Sequence, residues 1–130
     1  MTARRRIPDI EGRSAVASWL AAEGRIDRDT TATAVRWALE ELAALAPGQA
    51  VEVRVPPFGA TQILEGTTHR RGTPPAVVEM GDDAFLSLVT GSLEWTDAVA
   101  RGLVSASGER ADLSSLLPLV DASPQDLDLL

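Results

Sequence analysis

The side chains with the greatest chemical capacity lie in one polar loop, which carries His69, Arg70, Arg71 and Thr73. Arg54 stands on a predicted strand that precedes this loop. Guanidinium groups bind carboxylates and phosphates through charge-assisted hydrogen bonds. This cluster is a candidate anion site, with Arg54 and Arg71 as its candidate head-group ligands. The alternative is a solvated loop without a ligand, because loops are usually polar and exposed.

The rest of the sequence offers little for catalysis. It contains no cysteine and one histidine, which excludes disulfides and thiolate nucleophiles and disfavours a zinc site. Ser105 and Ser107 do not form a G-x-S-x-G motif, and there is no glycine-rich phosphate loop. We therefore predict a protein that is not an enzyme and uses no metal or cofactor. A reaction centred on His69 and Arg71 is the competing hypothesis.

Charge and hydropathy narrow the range of partners. The 130 residues have a net charge of −7, which disfavours nucleic acid and anionic membranes because both bind mainly through Lys and Arg. No apolar run is long enough to cross a membrane, and Arg4 to Arg6 lead into Pro8 rather than a signal sequence. We expect a cytoplasmic protein. The 45% hydrophobic content suffices for one buried core.

Hydrophobic periodicity predicts two helices and then two strands in the first half of the chain. The helices are expected from Ser14 to Gly24 and from Asp29 to Pro47, with polar residues at their starts and Gly or Pro at their ends. Residues Val51 to Val55 alternate between valine and charged residues, which predicts a strand whose valines face the helices. The run from Phe58 to Glu65 is its expected antiparallel partner.

The second half contains further short elements. We predict a strand, two helices, a strand and a final helical turn: Ala76–Met80, Ala84–Thr90, about Leu93–Arg101, Leu103–Ser107 and Leu113–Leu117. These elements belong to one domain, residues 13–120. A mobile basic arm, residues 1–12, is expected before it, and an acidic tail, residues 121–130, after it.

The order of these elements resembles that of a known family. Residues 76–119 read AVVEMGDDAFLSLVTGSLEWTDAVARGLVSASGERADLSSLLPL. The strand ending in Met80, the acidic helix start, the Ala98 helix, Gly102, the next strand and the Leu113 turn follow one another as in the C-terminal half of sterol carrier protein domains. The resemblance implies an α+β domain: a mostly antiparallel sheet of four to five strands, with helices packed on one face.

The same resemblance implies a cavity for a sterol, a fatty acid, an acyl-CoA or another lipid between the helices and the sheet. The apolar residues expected around it are Trp37, Phe85, Leu88, Val89, Trp95, Val99, Leu116 and Leu117. We therefore predict non-enzymatic binding or transfer of an apolar ligand. Two alternatives remain open, because cores and apolar pockets use the same residue types. Each side chain could belong to the core, or the domain could be a protein-interaction or regulatory module with a filled cavity.

Overall fold

A computed structural model describes residues 6–66, 76–108 and 111–120. Within these ranges the chain forms four helices, four strands and one 3₁₀ turn. In chain order they are α1 (Asp9–Ala21), α2 (Arg28–Leu45), β1 (Val51–Val55), β2 (Gly59–Ile63), β3 (Ala76–Met80), α3 (Asp82–Thr90), α4 (Trp95–Ala100), β4 (Val104–Ser107) and the 3₁₀ turn Ser114–Leu116.

The strands form one mixed sheet in the order β2-β1-β3-β4. β1 pairs antiparallel with β2 across a tight turn, and β3 pairs antiparallel with β4. The central pairing, between β1 and β3, is parallel. Two of the three pairings are thus antiparallel, and the predicted α+β fold with a mostly antiparallel sheet is confirmed. The described residues contain four strands, the lower end of the expected number.

The alternating pattern of β1 determines which way the sheet faces. Val51, Val53 and Val55 are fully buried, whereas Arg54 is exposed. Side chains of successive strand residues point to opposite faces, so the three valines lie on the inner face. β3 repeats this pattern, with Val78 buried between two less buried neighbours. The predicted register is confirmed, and the outer face of the sheet is polar.

The helices cover the inner face of the sheet and supply most of the core. α1 packs along α2, and α2 contacts both β2 and α3. α2 is 18 residues long and buries nine of them. Its first turn is capped by Asp27, whose carboxylate accepts a hydrogen bond from the Thr30 backbone N–H at 2.9 Å. One continuous hydrophobic cluster joins α1, α2, α3 and the inner face of the sheet.

The first helix begins five residues earlier than its sequence pattern indicated. The prediction placed the start at Ser14 and assigned residues 9–12 to a mobile arm, but α1 begins at Asp9. That start was wrong because residues 1–12 mix Arg, Pro, Asp and Gly without hydrophobic periodicity. In the fold, Gly12 is buried against Trp37, and a Cβ at this position would lie 2.0 Å from the Trp37 Cγ atom. Glycine here allows close contact between two helices, and the helix continues through it.

The remaining elements lie near their expected positions. β3 has the predicted bounds, and β2, α3, α4 and β4 are shifted by one to two residues at one or both ends. Hydrogen-bond ladders fray at element ends, so such differences are ordinary. Residues 1–5 of the expected arm and the expected tail, 121–130, lie outside the described ranges. Within those ranges, no helix combines the length and the apolar character that a membrane span requires.

Candidate functional site

Four of the eight predicted lining residues belong to the innermost core. Trp37, Phe85, Leu88 and Val89 are each at most 1% exposed. Trp37 comes from α2 and the other three from α3, and all four belong to the same hydrophobic cluster. Because other core residues enclose all four, any ligand among them would have to displace protein contacts.

Trp37 is fixed from several sides. Its indole Nε1 donates a hydrogen bond to the Asp9 carboxylate at 3.2 Å. The other Asp9 oxygen accepts from Arg13 Nε at 2.9 Å, and the Arg13 guanidinium lies 5.6 Å from the centre of the Trp37 ring. A buried indole needs such an acceptor for its N–H, and Asp9 supplies it from the first turn of α1. This side chain therefore locks α1 onto α2.

The other four predicted residues lie at the edge of the core. Trp95, Leu116 and Leu117 are partly buried and pack against the cluster, whereas Val99 is 45% exposed. They belong to the short helix α4 and to the segment around the 3₁₀ turn. Leu103, next to β4, is also 43% exposed. This region is an apolar surface that the described parts of the chain cover only in part.

The C-terminal segment is tied to the end of α3. The backbone N–H groups of Leu119 and Val120 both donate to the Val89 carbonyl, at 3.0 and 3.1 Å. Pro118 also comes close to Gly91, the residue that ends α3 in the left-handed conformation. The segment that follows Leu117 is therefore held at the C-terminal end of α3, beside Val89.

Arg54 lies on the other side of the sheet from these residues. Its Nε forms an ion pair with the Glu52 carboxylate, which together with the nearby charge of Glu79 raises the pKa of Arg54 above its usual value. The group sits on the exposed outer face of β1, whereas Trp37 and Phe85 lie on the inner side. The predicted partner Arg71, with His69, Arg70 and Thr73, lies outside the described residues.

A polar feature that the sequence reasoning missed lies at the opposite end of α3. Trp19 is only 6% exposed. Its Nε1 has no hydrogen-bond partner among the described residues. A side chain built on Gly24 would place its Cβ 3.6 Å from this nitrogen and 3.3 Å from Asp83 Oδ1. The indole N–H and the carboxylate thus border the same place.

The sequence carried only a weak signal for this feature. Trp19 belongs to the apolar stripe of α1, and the sequence pattern gives no reason to assign it another role. Asp83 fits the acidic first turn of a helix, where carboxylates are common. Their proximity depends on how α1 packs against α3, which the local pattern does not specify.

An open groove also runs between the exposed sides of α1 and α2. It is lined by Ile10, Glu11, Ser14, Ala15, Ser18, Asp29, Thr30 and Thr33. Ile10 is 74% exposed at the α1 side of this groove. None of the predicted lining residues borders it. Over the residues that the structure describes, no group of three or more His, Cys, Asp or Glu side chains is arranged to hold a metal ion.

Comparison with known proteins agrees with this architecture. A family model described as a bacterial SCP ortholog, where SCP denotes sterol carrier protein, matches residues 27–119. The match begins at the N-cap of α2 and includes all four described strands, α3, α4 and the 3₁₀ turn. α1 precedes the matched range. A comparison with curated proteins finds no match.

Proposed function

The chain belongs to the family of bacterial sterol carrier protein orthologs, and we propose that it binds or transfers an apolar ligand without catalysing a reaction. The family indicates a lipid-carrier-like domain. The proposed ligand is a fatty acid, an acyl-CoA or another lipid. Trp37, Phe85, Leu88, Val89, Trp95, Val99, Leu116 and Leu117 are the proposed contacts.

The observation that carries this proposal is the continuity of apolar side chains along α3. Phe85 and Leu88 are buried in the core, and Trp95 and Leu117 extend the same cluster to the surface. α3 is nine residues long, which corresponds to roughly 13 Å at the usual rise of 1.5 Å per residue. An acyl chain that entered at the partly exposed end would therefore follow apolar contacts inward for about this distance.

The marginal end is the proposed entrance because its elements are short and few contacts hold them. α4 has six residues, of which only Ala98 is buried. Regions with few buried contacts open at lower free energy than core helices. α4 packs mainly against β4, and the segment after the 3₁₀ turn is bonded to the Val89 carbonyl at the end of α3. Release of that segment would expose the C-terminal end of α3 while leaving the contacts between α1 and α2 in place.

The first experiment asks whether the protein carries a ligand. Native mass spectrometry and solvent extraction of freshly purified full-length chain should recover an apolar molecule. Titration with a fatty acid should change the fluorescence of Trp95, identified by its loss in a Trp95→Phe variant. Repeated failure to extract a lipid, together with no response to fatty acids or acyl-CoA, would contradict the proposal.

A substitution tests the location. Leu88→Trp should fill the space beside α3 and weaken fatty-acid binding, at a cost of about 1–3 kcal/mol in the free energy of unfolding. Leu45→Trp is the matched control, because Leu45 is 60% exposed at the end of α2. Unchanged affinity in a folded Leu88→Trp protein would remove α3 from the ligand site.

The second candidate function is a protein-interaction or regulatory domain with a filled cavity. Full burial of Trp37 and Val89, both 0% exposed, favours it, since a ligand must compete with these contacts. Under this hypothesis no lipid is extracted, and Leu88→Trp changes stability alone. The third hypothesis, a reaction at His69 and Arg71, predicts that His69→Ala abolishes whatever turnover the wild type shows.

A further inference from the structure

We infer that the open groove between α1 and α2 is a docking surface for a basic helical segment of another protein. Arginine or lysine side chains of that segment bind the carboxylates of the groove, and an apolar side chain contacts Ile10. The groove has a volume of about 440 Å³ and is open to solvent. It shares no residue with the proposed lipid contacts, so this inference goes beyond the proposed function.

The groove carries negative charge on both of its walls. Glu11 lines it from α1 and Asp29 from α2, and within the described part of the chain its lining contains no arginine. Two arginines near these carboxylates in sequence are engaged elsewhere. Arg13 forms an ion pair within α1, and the Arg28 guanidinium lies 5.5 Å from the centre of the Phe58 ring. A cationic partner would therefore meet complementary charge along the groove.

The hydroxyl groups of the α2 wall are arranged as acceptors. Thr30 donates its hydroxyl proton to the Asp27 carboxylate at 2.7 Å, and Thr33 donates to the Asp29 carbonyl at 3.0 Å. A hydroxyl has one donor and two acceptor lone pairs, so both oxygens can only accept from a partner. This wall therefore favours N–H donors such as guanidinium and ammonium groups, and it disfavours carboxylates and phosphates.

The two carboxylates flank the groove at different ends. Gly12, near the start of α1, meets Trp37 in the middle of α2, and a short connection joins the end of α1 to the start of α2. The helices are therefore antiparallel, so Asp29 lies beside the second half of α1 and Glu11 near its start. The α1 wall runs from residue 10 to residue 18, which corresponds to roughly 12 Å at 1.5 Å per residue.

An exposed apolar side chain borders the same groove. Ile10 is 74% exposed, more than any other large hydrophobic residue in the described ranges. The buried Ala15 also lines the groove. Helices that bind in grooves combine an apolar anchor with charges that fix their orientation. The geometry therefore fits a partner helix with two basic residues about seven positions apart and an apolar residue between them on the same face.

The α1 wall of the groove is separate from the family pattern. The family match begins at residue 27, so it includes the α2 wall but not α1. The property that this match indicates, a lipid-carrier-like domain, does not involve Ile10 or Glu11. Docking at this groove is therefore distinct from it.

Three synthetic helical peptides test the inference on the full-length chain. The Arg peptide is alanine-rich, about 18 residues long so that it is helical in water, and carries a central Leu between two Arg residues seven positions apart. The Glu peptide has Glu at both Arg positions, and the third peptide has Ala in place of Leu. Fluorescence anisotropy of labelled peptides should show the Arg peptide binding about tenfold more tightly than either of the others. A salt concentration of about 1 M should reduce its advantage over the Glu peptide, because exposed charges are then screened within about 3 Å.

Variants of the groove locate the binding. Ile10→Ser should weaken binding of the Arg peptide by about tenfold, as for loss of an apolar anchor. The double variant Glu11→Gln/Asp29→Asn should weaken it by about fivefold, as for two exposed ion pairs. All three residues are exposed, so these variants should fold. Amide shifts in nuclear magnetic resonance spectra should concentrate at residues 10–18 and 29–33 when the peptide binds.

Matched controls lie on α4, away from the groove. Val99→Ser removes another exposed apolar side chain, and Glu94→Gln/Asp97→Asn removes two exposed carboxylates. Both should leave binding of the Arg peptide unchanged. Equal losses in the two double variants would mean nonspecific attraction by the net charge of −7 and would overturn the inference.

Three further results would also overturn it: no binding of the Arg peptide, equal affinity for the Arg and Glu peptides, or unchanged affinity in Ile10→Ser. Sedimentation of the chain alone tests a different occupant. We expect a monomer at this groove, and a dimer that dissociates in Ile10→Ser would assign the groove to a second copy instead. None of these results bears on the apolar-ligand proposal, which is tested by lipid extraction and by Leu88→Trp.

Discussion

The buried and marginal halves of the predicted lining set differ in their surroundings although their residue types are the same. Phe85 and Leu88 lie within the core at 1% exposure, whereas Leu116 is partly buried and Val99 is 45% exposed. Both halves are apolar and recur at helical spacing. Apolar residues of the same types therefore lie in the core or at its margin, depending on how many elements surround them.

The two halves are also held by different means. Trp37 stands on an 18-residue helix that has a capped start and packs against α1, α3 and β2. Leu116 is the last residue of a 3₁₀ turn of three residues and Leu117 follows it. The segment just after them is tied to α3 through the Val89 carbonyl. The buried half should therefore set the global stability, and the marginal half should open locally at lower free energy.

The largest expected effect is on stability. Phe85→Ala should lower the free energy of unfolding by about 3–5 kcal/mol, because it leaves a cavity in the core. Leu116→Ala should cost about 1 kcal/mol, in proportion to its partial burial, and Val99→Ala should stay within about 0.5 kcal/mol. Urea denaturation followed by circular dichroism measures all three. Equal losses for Phe85→Ala and Leu116→Ala would break the distinction between the two halves.

A smaller loss is expected at the contact between α1 and α2. Gly12→Ala would bring a Cβ to within 2.0 Å of the Trp37 ring, so the helices must separate, at a net cost of about 1–3 kcal/mol. The near-ultraviolet circular dichroism of Trp37 should weaken with it. Gly81→Ala is the control, because its Cβ meets nothing within 4 Å, and it should cost less than about 1 kcal/mol as a changed N-cap. A neutral Gly12→Ala would show that this interface tolerates displacement.

The smallest effects concern two exposed capping aspartates, Asp27 at the start of α2 and Asp112 before the 3₁₀ turn. Hydrogen bonds from Thr30 lower the pKa of Asp27, and hydrogen bonds from Ser114 lower the pKa of Asp112, both from the usual 3.8. A lowered folded-state pKa means stabilisation that is complete above pH 3.8 and lost as the pH falls through the folded-state value. Asn can cap without titrating, so Asp27→Asn and Asp112→Asn should each remove their part of this acid dependence.

The two variants should differ in what they affect. Asp27 caps the long core helix α2, so Asp27→Asn should flatten the acid limb of global unfolding. Asp112 caps only the 3₁₀ turn, so Asp112→Asn should alter amide exchange near residues 114–116 and leave global unfolding unchanged. Denaturation and hydrogen exchange across pH 2–5 are the measurements. A global effect from Asp112→Asn would mean that the marginal half unfolds together with the core.

Much of the fold could be predicted because its signals are local. β3 has the bounds that its sequence indicated, and the valine alternation of β1 correctly gave its buried face. The same alternation places Arg54 on the face of β1 away from the helices. Its separation from Phe85 could therefore have been predicted from the sequence. The start of α1 was mispredicted because residues 1–12 show no hydrophobic periodicity, and the packing of Gly12 against Trp37 depends on a distant segment.

The candidate site was less predictable because it depends on contacts between distant segments. The spacing of Trp95 and Leu116 indicated apolar elements, but their partial exposure depends on how few neighbours surround them. The parallel pairing of β1 with β3 likewise follows from the path of the chain between them, which neither strand's own sequence encodes.

The sequence by itself determined the α+β class, the positions of most elements, the inward face of the sheet and the resemblance to a family that the match over residues 27–119 then established. These properties follow from side-chain periodicity, capping and turn residues, which act over a few positions along the chain. The tertiary structure alone decided that Gly12 meets Trp37, that the lining residues divide into a buried and a marginal half, and that Trp19 and Asp83 border one place. Each depends on the packing of elements far apart in sequence, where the distance and angle between helices, rather than residue type, determine which atoms meet.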